Sequence, residues 1–268
     1  MPPRSSITEK DIIVAYNNLQ GITKVSESLH VDYRRVKRAL INNGIPVKCH
    51  RTRKHSVNHS AFSELTPDAC YWIGMLFADG YIYHPKDREH LEIHISLGKV
   101  DKEHLMKLIN FTQSTYAVGN HYVPYTKIIK AYRTKIISNQ IANDLMKYGM
   151  CKDKLAREAH PSLAQSRDFW RGMIDGDGCI SIAHFKNGNP FYPVVDLTAG
   201  LPLLKQFLVF VKTITPTTVN PHKTCSDRLY RTHINGSHAI KLLPILYHES
   251  SMFLNRKHNK ALDIINTF

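Results

Sequence analysis

Two aspartates in matching segments are the residues of this sequence best placed for catalysis. Asp79 lies in YWIGMLFADGYI at 71–82, and Asp177 has the same position in FWRGMIDGDGCI at 169–180. The later segments AYRTKI and LYRTHI place Arg133 and Arg231 at the same offset of 98 residues. Because one offset relates two separate landmarks, the chain from about residue 62 onward contains an internal repeat.

Small residues precede each aspartate at helical spacing. Gly74 and Ala78 are four residues apart in the first segment, as are Gly172 and Gly176 in the second. Residues four apart lie on one face of a helix, and a face without bulky side chains lets two helices approach closely. The sequence therefore predicts that the two motif helices pack against each other and form a pseudo-twofold interface.

The two aspartates are then expected to meet at the C-terminal ends of these helices, where Gly80 and Gly178 would end each helix in the left-handed conformation. The helix dipole and the repulsion between two carboxylates both oppose negative charge there. A divalent cation would relieve both effects, and oxygen ligands with open positions suit Mg²⁺. Paired acids in a basic protein thus indicate metal-assisted phosphodiester hydrolysis. The alternative is that Asp79 and Asp177 only cap and solvate the helix seam.

The composition is that of a folded basic protein. The chain has 268 residues, of which 36 are Lys or Arg and 22 are Asp or Glu, giving a net charge of +14. A hydrophobic content of 43% excludes a disordered tail, and the charge makes a nucleic acid the first partner to consider, ahead of a membrane surface. Five scattered cysteines indicate reduced thiols in an intracellular compartment, organelles included. No signal core and no membrane span are expected, because lysines interrupt the most apolar stretch.

Residues 1–46 have the pattern of a small helical module. Thr8 and Asp11 predict the start of a first helix, and a second is expected near 23–29. Asp32 can cap a third helix that ends at Gly44 and has a basic outer face. This layout is similar to a helix-turn-helix, whose last helix enters the DNA major groove; the alternative is a packing module with a solvated basic face. The candidate DNA-binding residues here are Tyr33, Arg34, Arg35, Lys37 and Arg38.

A basic linker is expected at 47–61. Its sequence, VKCHRTRKHSVNHSA, is rich in Lys and Arg and has no apolar period. We expect it to follow phosphates or a minor groove through Arg51, Arg53 and Lys54. A zinc site is the weaker alternative, because the segment has one cysteine and irregularly spaced histidines.

The body of the chain is predicted to be an α+β structure of two tandem repeats, 62–160 and 161–268. In the first repeat, Thr66 and Pro67 begin a helix that ends at Gly80. Strands near 81–84 and 91–97, a helix near 101–111, strands near 118–124 and 129–137, and a helix near 138–149 follow. The second repeat has the same predicted order, with helices near 201–213 and 237–247.

The two motifs resemble those of the LAGLIDADG homing endonucleases in their single-chain form, and the resemblance covers about residues 62–268. It implies a pseudo-twofold pair of αββαββα repeats, whose saddle-shaped antiparallel sheets lie along the major groove of a long, near-asymmetric double-stranded DNA target. It also implies that Asp79 and Asp177 bind the divalent ions that cleave one strand each, for which Mg²⁺ is expected, with Mn²⁺ as a substitute. Because two halves in one chain already supply the twofold, we expect a monomer. The backbone carbonyls of Ala78 and Gly176 are the implied additional metal ligands.

The first motif departs from the family pattern at the earlier acidic position, which is Asp175 in the second motif and Phe77 in the first. This position is not the implied metal ligand, so the difference concerns the packing of the helix end. The resemblance further implies a basic residue from each half near the scissile phosphates. Lys257 fits this position and Lys154 is its expected counterpart, each polarising the attacking water or stabilising the transition state. A solvated surface position is the alternative for both lysines.

Basic side chains in the hairpins are candidate contacts to DNA. Only every second side chain of a strand lies on one face, so about half of them are expected to be solvated instead. Arg133 and Arg231 are the best candidates, because they occur at equivalent places and suit bidentate contact with guanine or phosphate. A repeated structural ion pair is the alternative for these two. The full set is Lys86, Arg88, His94, Arg133, Lys135, His184, Lys186, Arg228, Arg231 and His233.

The sequence thus predicts a site-specific double-strand DNA endonuclease. Two other functions suit the same fold. One is a transcription regulator that binds DNA without cutting it, which the N-terminal module would also serve. The other is an RNA maturase that assists the splicing of an intron. The presence of both motif aspartates favours the endonuclease.

Overall fold

The chain forms two compact units, Met1–Lys54 and His55–Phe268. The structure, a computed structural model, describes residues 7–47, 55–86, 88–186 and 190–268. The predicted DNA contacts Arg51, Arg53 and Lys54 lie outside the described residues. Within the described ranges, no helix combines the length and apolarity needed to cross a membrane.

The described part of the N-terminal unit contains three helices: α1 (Glu9–Leu19), α2 (Ile22–Ser28) and α3 (Tyr33–Asn42). The capping box predicted for α1 is present. Thr8 Oγ1 accepts from the Asp11 backbone at 3.3 Å, and the Asp11 carboxylate accepts from the Thr8 backbone at 2.8 Å. Asp32 caps α3 by accepting from the Arg34 backbone at 2.8 Å. Gly44 follows α3 with a φ of +66°, the left-handed conformation predicted for it.

The three helices pack around a small apolar core that includes Ile12, Val25, Val36 and Leu40. The opposite face of α3 is basic and points to solvent. Arg35 is partly engaged there, since its guanidinium donates to the Ile7 carbonyl at 2.6 Å. The exposed residues of this face are the predicted set Tyr33, Arg34, Arg35, Lys37 and Arg38.

The second unit begins with a segment that is attached to the first repeat. Ser56 donates from its backbone to Thr115 Oγ1 at 2.8 Å, and Asn58 donates to the Thr112 carbonyl at 2.8 Å. Residues 55–61, predicted as the end of the linker, are therefore a fixed part of this unit.

The first repeat has the predicted order of elements. They are α4 (Pro67–Asp79), β1 (Gly80–Tyr83), β2 (Glu92–Gly98), α5 (Lys102–Phe111), β3 (Gly119–Tyr122), β4 (Ile129–Ile137) and α6 (Asn139–Lys147). The strands form an antiparallel sheet in the order β1-β2-β4-β3. Thr66 caps α4 by accepting from the Ala69 backbone at 3.2 Å, and Pro67 is its first residue, as predicted.

The second repeat has the same topology. After a single turn, α7 (Pro161–Ala164), it contains α8 (Arg167–Asp177), β5 (Gly178–His184), β6 (Pro190–Ala199), α9 (Leu201–Ile214), β7 (His222–Lys223), β8 (Tyr230–Asn235), α10 (Gly236–Tyr247) and α11 (Asn255–Thr267). The strand order is β5-β6-β8-β7. Two antiparallel sheets of equal connectivity confirm the internal repeat and the α+β prediction.

One face of each sheet packs against helices. Ile93 and Ile95 are buried there in the first sheet, as are Val195 and Ile234 in the second. Because side chains alternate along a strand, the residues between them point to the opposite face, which we call the open face. Each repeat therefore presents one open sheet face beside the end of its motif helix, α4 or α8.

Candidate active site

The motif helices α4 and α8 pack backbone to backbone. A Cβ on Gly74 would lie 2.2 Å from the Phe169 carbonyl oxygen, and one on Gly172 would lie 2.1 Å from the Tyr71 carbonyl oxygen. Such distances are well inside van der Waals contact, so only glycine fits at either place. The predicted interface between the small-residue faces of the two helices is confirmed.

Both motif aspartates lie where this close contact ends. A Cβ on Gly176 would lie 2.2 Å from Ala78 Cβ and 3.2 Å from Asp79 Oδ2. Burial, and to a smaller extent the Asp177 carboxylate, raises the pKa of Asp79 to about 6. Burial also raises the pKa of Asp177, against the lowering effect of Lys154. The two helix ends thus bring together two carboxylates whose charged forms are disfavoured unless a cation joins them.

The left-handed helix ends predicted at Gly80 and Gly178 are wrong. Gly80 has a φ of −99° and Gly178 a φ of −90°, both in the extended region, because each helix passes directly into a strand. Glycine is needed for space instead. A Cβ on Gly80 would lie 2.7 Å from the Leu76 carbonyl oxygen, and one on Gly178 would lie 2.7 Å from that of Ile174. Asp79 is therefore held at a tight helix-to-strand junction, and so is its counterpart in the second repeat.

Lys154 contacts Asp177 directly. Its Nζ lies 2.8 Å from Asp177 Oδ2 and donates to Oδ1 at 3.1 Å. Asp79 has no such partner: among the described residues none donates a hydrogen bond to its carboxylate or forms an ion pair with it. The two acids of the site are therefore supported unequally.

Lys257 lies under the C-terminal end of α8. Its Nζ donates to the carbonyls of Ile174, Asp175 and Gly178 at 2.6, 2.7 and 2.7 Å. The side chain is buried, and burial lowers its pKa. The ammonium group binds carbonyl oxygens where α8 ends, among them that of Ile174, which also accepts from the Gly178 backbone, and it places a positive charge near Asp177.

Arg157, which no sequence motif singled out, binds the end of α4 in the same way. Its guanidinium is buried and donates to the carbonyls of Phe77 at 2.5 Å, Gly80 at 3.1 Å and Leu76 at 3.4 Å. Arg157 and Lys257 are 100 residues apart, close to the offset of 98 between the motifs. The contacts make Arg157, and not Lys154, the counterpart of Lys257. The repeat offset of 98 residues does not identify it, because that offset relates Lys257 to Ala159.

The earlier acidic position of the second motif belongs to the core. Asp175 is buried and accepts hydrogen bonds from Tyr71 Oη at 2.8 Å, Tyr247 Oη at 2.7 Å and the Leu254 backbone at 2.6 Å. In the first motif Phe77 is buried instead and packs edge-on against an aromatic ring of α8. Both residues serve the packing of the helix ends.

The donor set at the junction fits a divalent cation. Asp177 Oδ2 is buried and accepts no hydrogen bond of good geometry, even though Lys154 Nζ is near. The last carbonyls of a helix, here including those of Ala78 and Gly176, lack partners within the helix. Oxygen donors of this kind suit Mg²⁺, which keeps several of its waters. In the described part of the chain, no three His, Cys, Asp or Glu side chains cluster as an alternative metal cage.

Three predicted DNA contacts share the open face of the first sheet. Lys135 is paired with His94 across β2 and β4, and Arg133 is two residues from Lys135 on the same strand. Glu92, which no sequence pattern singled out, orders this face: its carboxylate accepts from Lys135 Nζ at 3.1 Å and lies 2.8 Å from His94 Nε2.

The open face of the second sheet has an equivalent but different set. His233 Nδ1 lies 2.5 Å from Asp196 Oδ1 across β6 and β8. Arg231 is two residues away on the same face, and its Nε donates to Thr198 Oγ1 at 3.3 Å. Neither Arg231 nor Arg133 pairs with a carboxylate within the described residues, which argues against the alternative of a repeated structural ion pair.

The remaining predicted contacts fall into two groups. Arg228 forms an ion pair with Asp153 at the surface and is less available for DNA. The others are exposed: Lys86 and Arg88 lie between β1 and β2, His184 is the last residue of β5, and Lys186 lies between β5 and β6.

Two αββαββα repeats joined through glycine-rich motif helices, with an aspartate at the end of each, define the LAGLIDADG fold in its single-chain form. No family model and no curated protein sequence matches the chain. Several solved structures match it in fold. The LAGLIDADG homing endonuclease I-GzeII in complex with its DNA target has 13% identity and a TM-score of 0.53, over 76% of this chain and 89% of that one.

Two further solved structures have the same fold. I-SmaMI bound to cleaved DNA has 13% identity and a TM-score of 0.51, over 76% of this chain and 88% of that one. I-CpaMI bound to uncleaved DNA has 12% identity and a TM-score of 0.50, over 76% of this chain and 92% of that one. The chain therefore has the fold of the single-chain LAGLIDADG homing endonucleases.

Proposed function

We propose that this protein is a site-specific double-strand DNA endonuclease that uses Mg²⁺, with Mn²⁺ as a substitute. The observation that carries the proposal is the junction of α4 and α8, where two largely buried carboxylates lie close together. Burial raises the pKa of both, and the charge of Asp177 further raises that of Asp79. In a protein of net charge +14, such a site is suited to metal-assisted cleavage of a phosphodiester. Proteins of the same fold solved with target DNA and with cleaved DNA support it.

The metal ligands proposed are Asp79 and Asp177 with the carbonyls of Ala78 and Gly176, one aspartate serving each strand. When bound, a divalent ion polarises the scissile phosphate and activates water. The protein's own part is to hold the carboxylates at rigid helix-to-strand junctions. That rigidity fixes the distance between the two cleavage positions.

Two lysines are proposed to supply positive charge to the reacting phosphates. Lys257 Nζ is held by carbonyl oxygens at the end of α8, near Asp177. Its positive charge stabilises the transition state electrostatically, and its hydrogen bonds hold the end of α8 in place. Lys154 has a side chain that is 45% exposed, and it is free to turn from Asp177 towards a phosphate.

The two open faces are proposed to read DNA, with Arg133 and Arg231 as the equivalent contacts. Because Glu92 has no identical partner at the second face, where Asp196 and His233 pair instead, the half-sites read should differ. Two repeats in one chain supply the pseudo-twofold without a second copy, so we infer a monomer acting on a long, near-asymmetric site inside the cell, organelles included. The basic face of α3 is proposed as a further, helix-turn-helix contact.

Cleavage of a randomised DNA library, read by sequencing the new ends, tests the proposal. With Mg²⁺ the wild type should cut both strands at one long site, and Asp177→Asn should leave nicks in one strand at the same site. Asp227→Asn is the matched control, since its side chain is 96% exposed, and it should cut as the wild type does. With Ca²⁺ in place of Mg²⁺, binding without cutting is expected.

The alternatives give different outcomes of the same experiment. Tight, sequence-selective binding without cutting under any divalent ion would overturn the endonuclease and identify a regulator, which the basic α3 would suit. Preference for intron RNA over duplex DNA in a gel shift would identify a maturase.

A further inference from the structure

We propose that Lys154 occupies the cation position at Asp177 in the metal-free protein, so that a divalent ion must displace it there and the Asp79 half of the site loads and cuts first. This inference rests on the endonuclease function proposed above. It concerns the order in which the two halves of the site act. Two equivalent halves would show no such order.

The contacts show how Lys154 takes that position. Its Nζ lies 2.8 Å from one oxygen of Asp177 and 3.1 Å from the other, so the ammonium covers the edge by which a carboxylate binds a metal. Lys154 begins the short turn Lys154–Ala156, which Asp153 fixes by accepting from the Leu155 backbone at 3.1 Å. The backbone is therefore held in place, while the side chain is partly exposed and able to leave.

The first half of the site has no equivalent group. The offset of 100 residues that relates Arg157 to Lys257 places Leu254 at the position of Lys154. Leu254 is buried, and its backbone N–H donates to Asp175 Oδ2 at 2.6 Å. Asp79 accepts no hydrogen bond from the described residues, so its carboxylate is open to a cation from the start.

Charge decides the competition between the lysine and a metal ion. Two cations cannot share one carboxylate edge without repulsion, so binding at Asp177 requires the Lys154 contact to break. An ion pair at this degree of exposure is worth about 1 kcal/mol, which corresponds to about a fivefold loss of metal affinity. At Asp79 the same lysine acts only through its charge and no direct contact has to break, so the loss there is smaller and the strand served by Asp79 is cut first.

Binding of Mn²⁺ to the protein without DNA, followed by the EPR signal of the free ion, tests the competition without any cleavage. Lys154→Met should bind Mn²⁺ about fivefold more tightly than the wild type at its weaker site. Lys154→Arg should keep the wild-type affinity because the competing charge remains. Lys152→Met, at an exposed lysine two residues earlier, is the matched control and should change nothing.

A double-mutant cycle locates the effect. In the Asp177→Asn background, Lys154→Met should no longer tighten Mn²⁺ binding, whereas in the Asp79→Asn background the gain should persist. Tryptophan fluorescence shows that each variant is folded, since both tryptophans lie in α4 and α8. Unchanged or weaker Mn²⁺ binding by folded Lys154→Met would overturn this inference alone. Absence of Mn²⁺ binding by the wild type would overturn the proposed function as well.

The order of cleavage is tested on the wild type. In a single turnover, the nicked intermediate should be cut mainly in the strand that Asp177→Asn still cuts. Equal nicking of the two strands, or a nick mainly in the other strand, would overturn the proposed order.

Discussion

Replacing Asp79 with asparagine should stabilise the metal-free protein while it removes a proposed metal ligand. The rise in the pKa of Asp79 from 3.8 to about 6 corresponds to about 3 kcal/mol, at about 1.4 kcal/mol for each pH unit. Because the folded-state pKa is the higher one, the protonated carboxyl favours the folded state below about pH 4, and this contribution is lost as the pH rises through 6. Asparagine stays neutral, so the advantage of the variant should grow from near zero at pH 4 to about 3 kcal/mol at pH 8.

Urea unfolding followed by tryptophan fluorescence measures this difference in the second compact unit, His55–Phe268. The two tryptophans, Trp72 and Trp170, are fully buried in the motif helices, and the N-terminal unit contains none. In EDTA, the free energy of unfolding of Asp79→Asn should exceed that of the wild type by about 1.5 kcal/mol at pH 5 and about 3 kcal/mol at pH 8. Added Mg²⁺ should then stabilise the wild type more than the variant, because only the wild type keeps both carboxylates.

The exposed Asp227 provides the control, since Asp227→Asn should change the free energy of unfolding by less than about 0.5 kcal/mol at either pH. If Asp79→Asn is no more stable than the wild type at pH 8, or if its advantage is the same at both pH values, the charged Asp79 carboxylate does not destabilise the metal-free protein.

Four other substitutions test the packing and the DNA surface. Gly74→Val should unfold the second unit or cost it more than about 4 kcal/mol, since its Cβ would lie 2.2 Å from the Phe169 carbonyl oxygen; a wild-type urea midpoint would contradict this. Arg133→Ala or Arg231→Ala should each reduce the slope of log DNA affinity against log salt by about one, as expected for the loss of one contact to a DNA phosphate. The Tm of the free protein should not change. Asp175→Asn should cost about 2 kcal/mol in urea unfolding, because an amide cannot accept from three donors as the carboxylate does; equal stability would show that the buried charge is as costly as the bonds it gains.

The repeat and its elements could be predicted from the sequence because their signals are local. The cap at Thr66, the small residues four apart and the alternation in the strands each depend on a few neighbouring positions, and a single offset relates the two halves. The strand 129–137 and the helix that begins at 201 were placed to the residue at those bounds. The pairing of α4 with α8 followed because each exposes the same face without side-chain bulk.

Arg157 and the carbonyl contacts of Lys257 could not be predicted, because they depend on groups distant in the chain and on backbone oxygens. Arg157 and Lys257 bind backbone oxygens about 80 positions earlier in the chain. Because every residue has a backbone carbonyl, no residue type in the sequence marks these acceptors. The extended conformation of Gly80 is likewise set by the strand it enters, not by the helix it ends. Local patterns identify a position where glycine is needed, but they do not tell a conformational need from a steric one.

The unequal halves of this site follow from having both repeats in one chain. A symmetric dimer must place the same residue at both halves of its interface, so any change that improves one half alters the other. Here Arg157 and Lys257 keep the same contact with different groups, while Lys154 faces an acid in one half and Leu254 replaces it in the other. The fixed part is the backbone contact of the motif helices, which neither half can change alone. The variable part is the set of charges around the two aspartates, and the proposed difference in metal binding between the two halves rests on it.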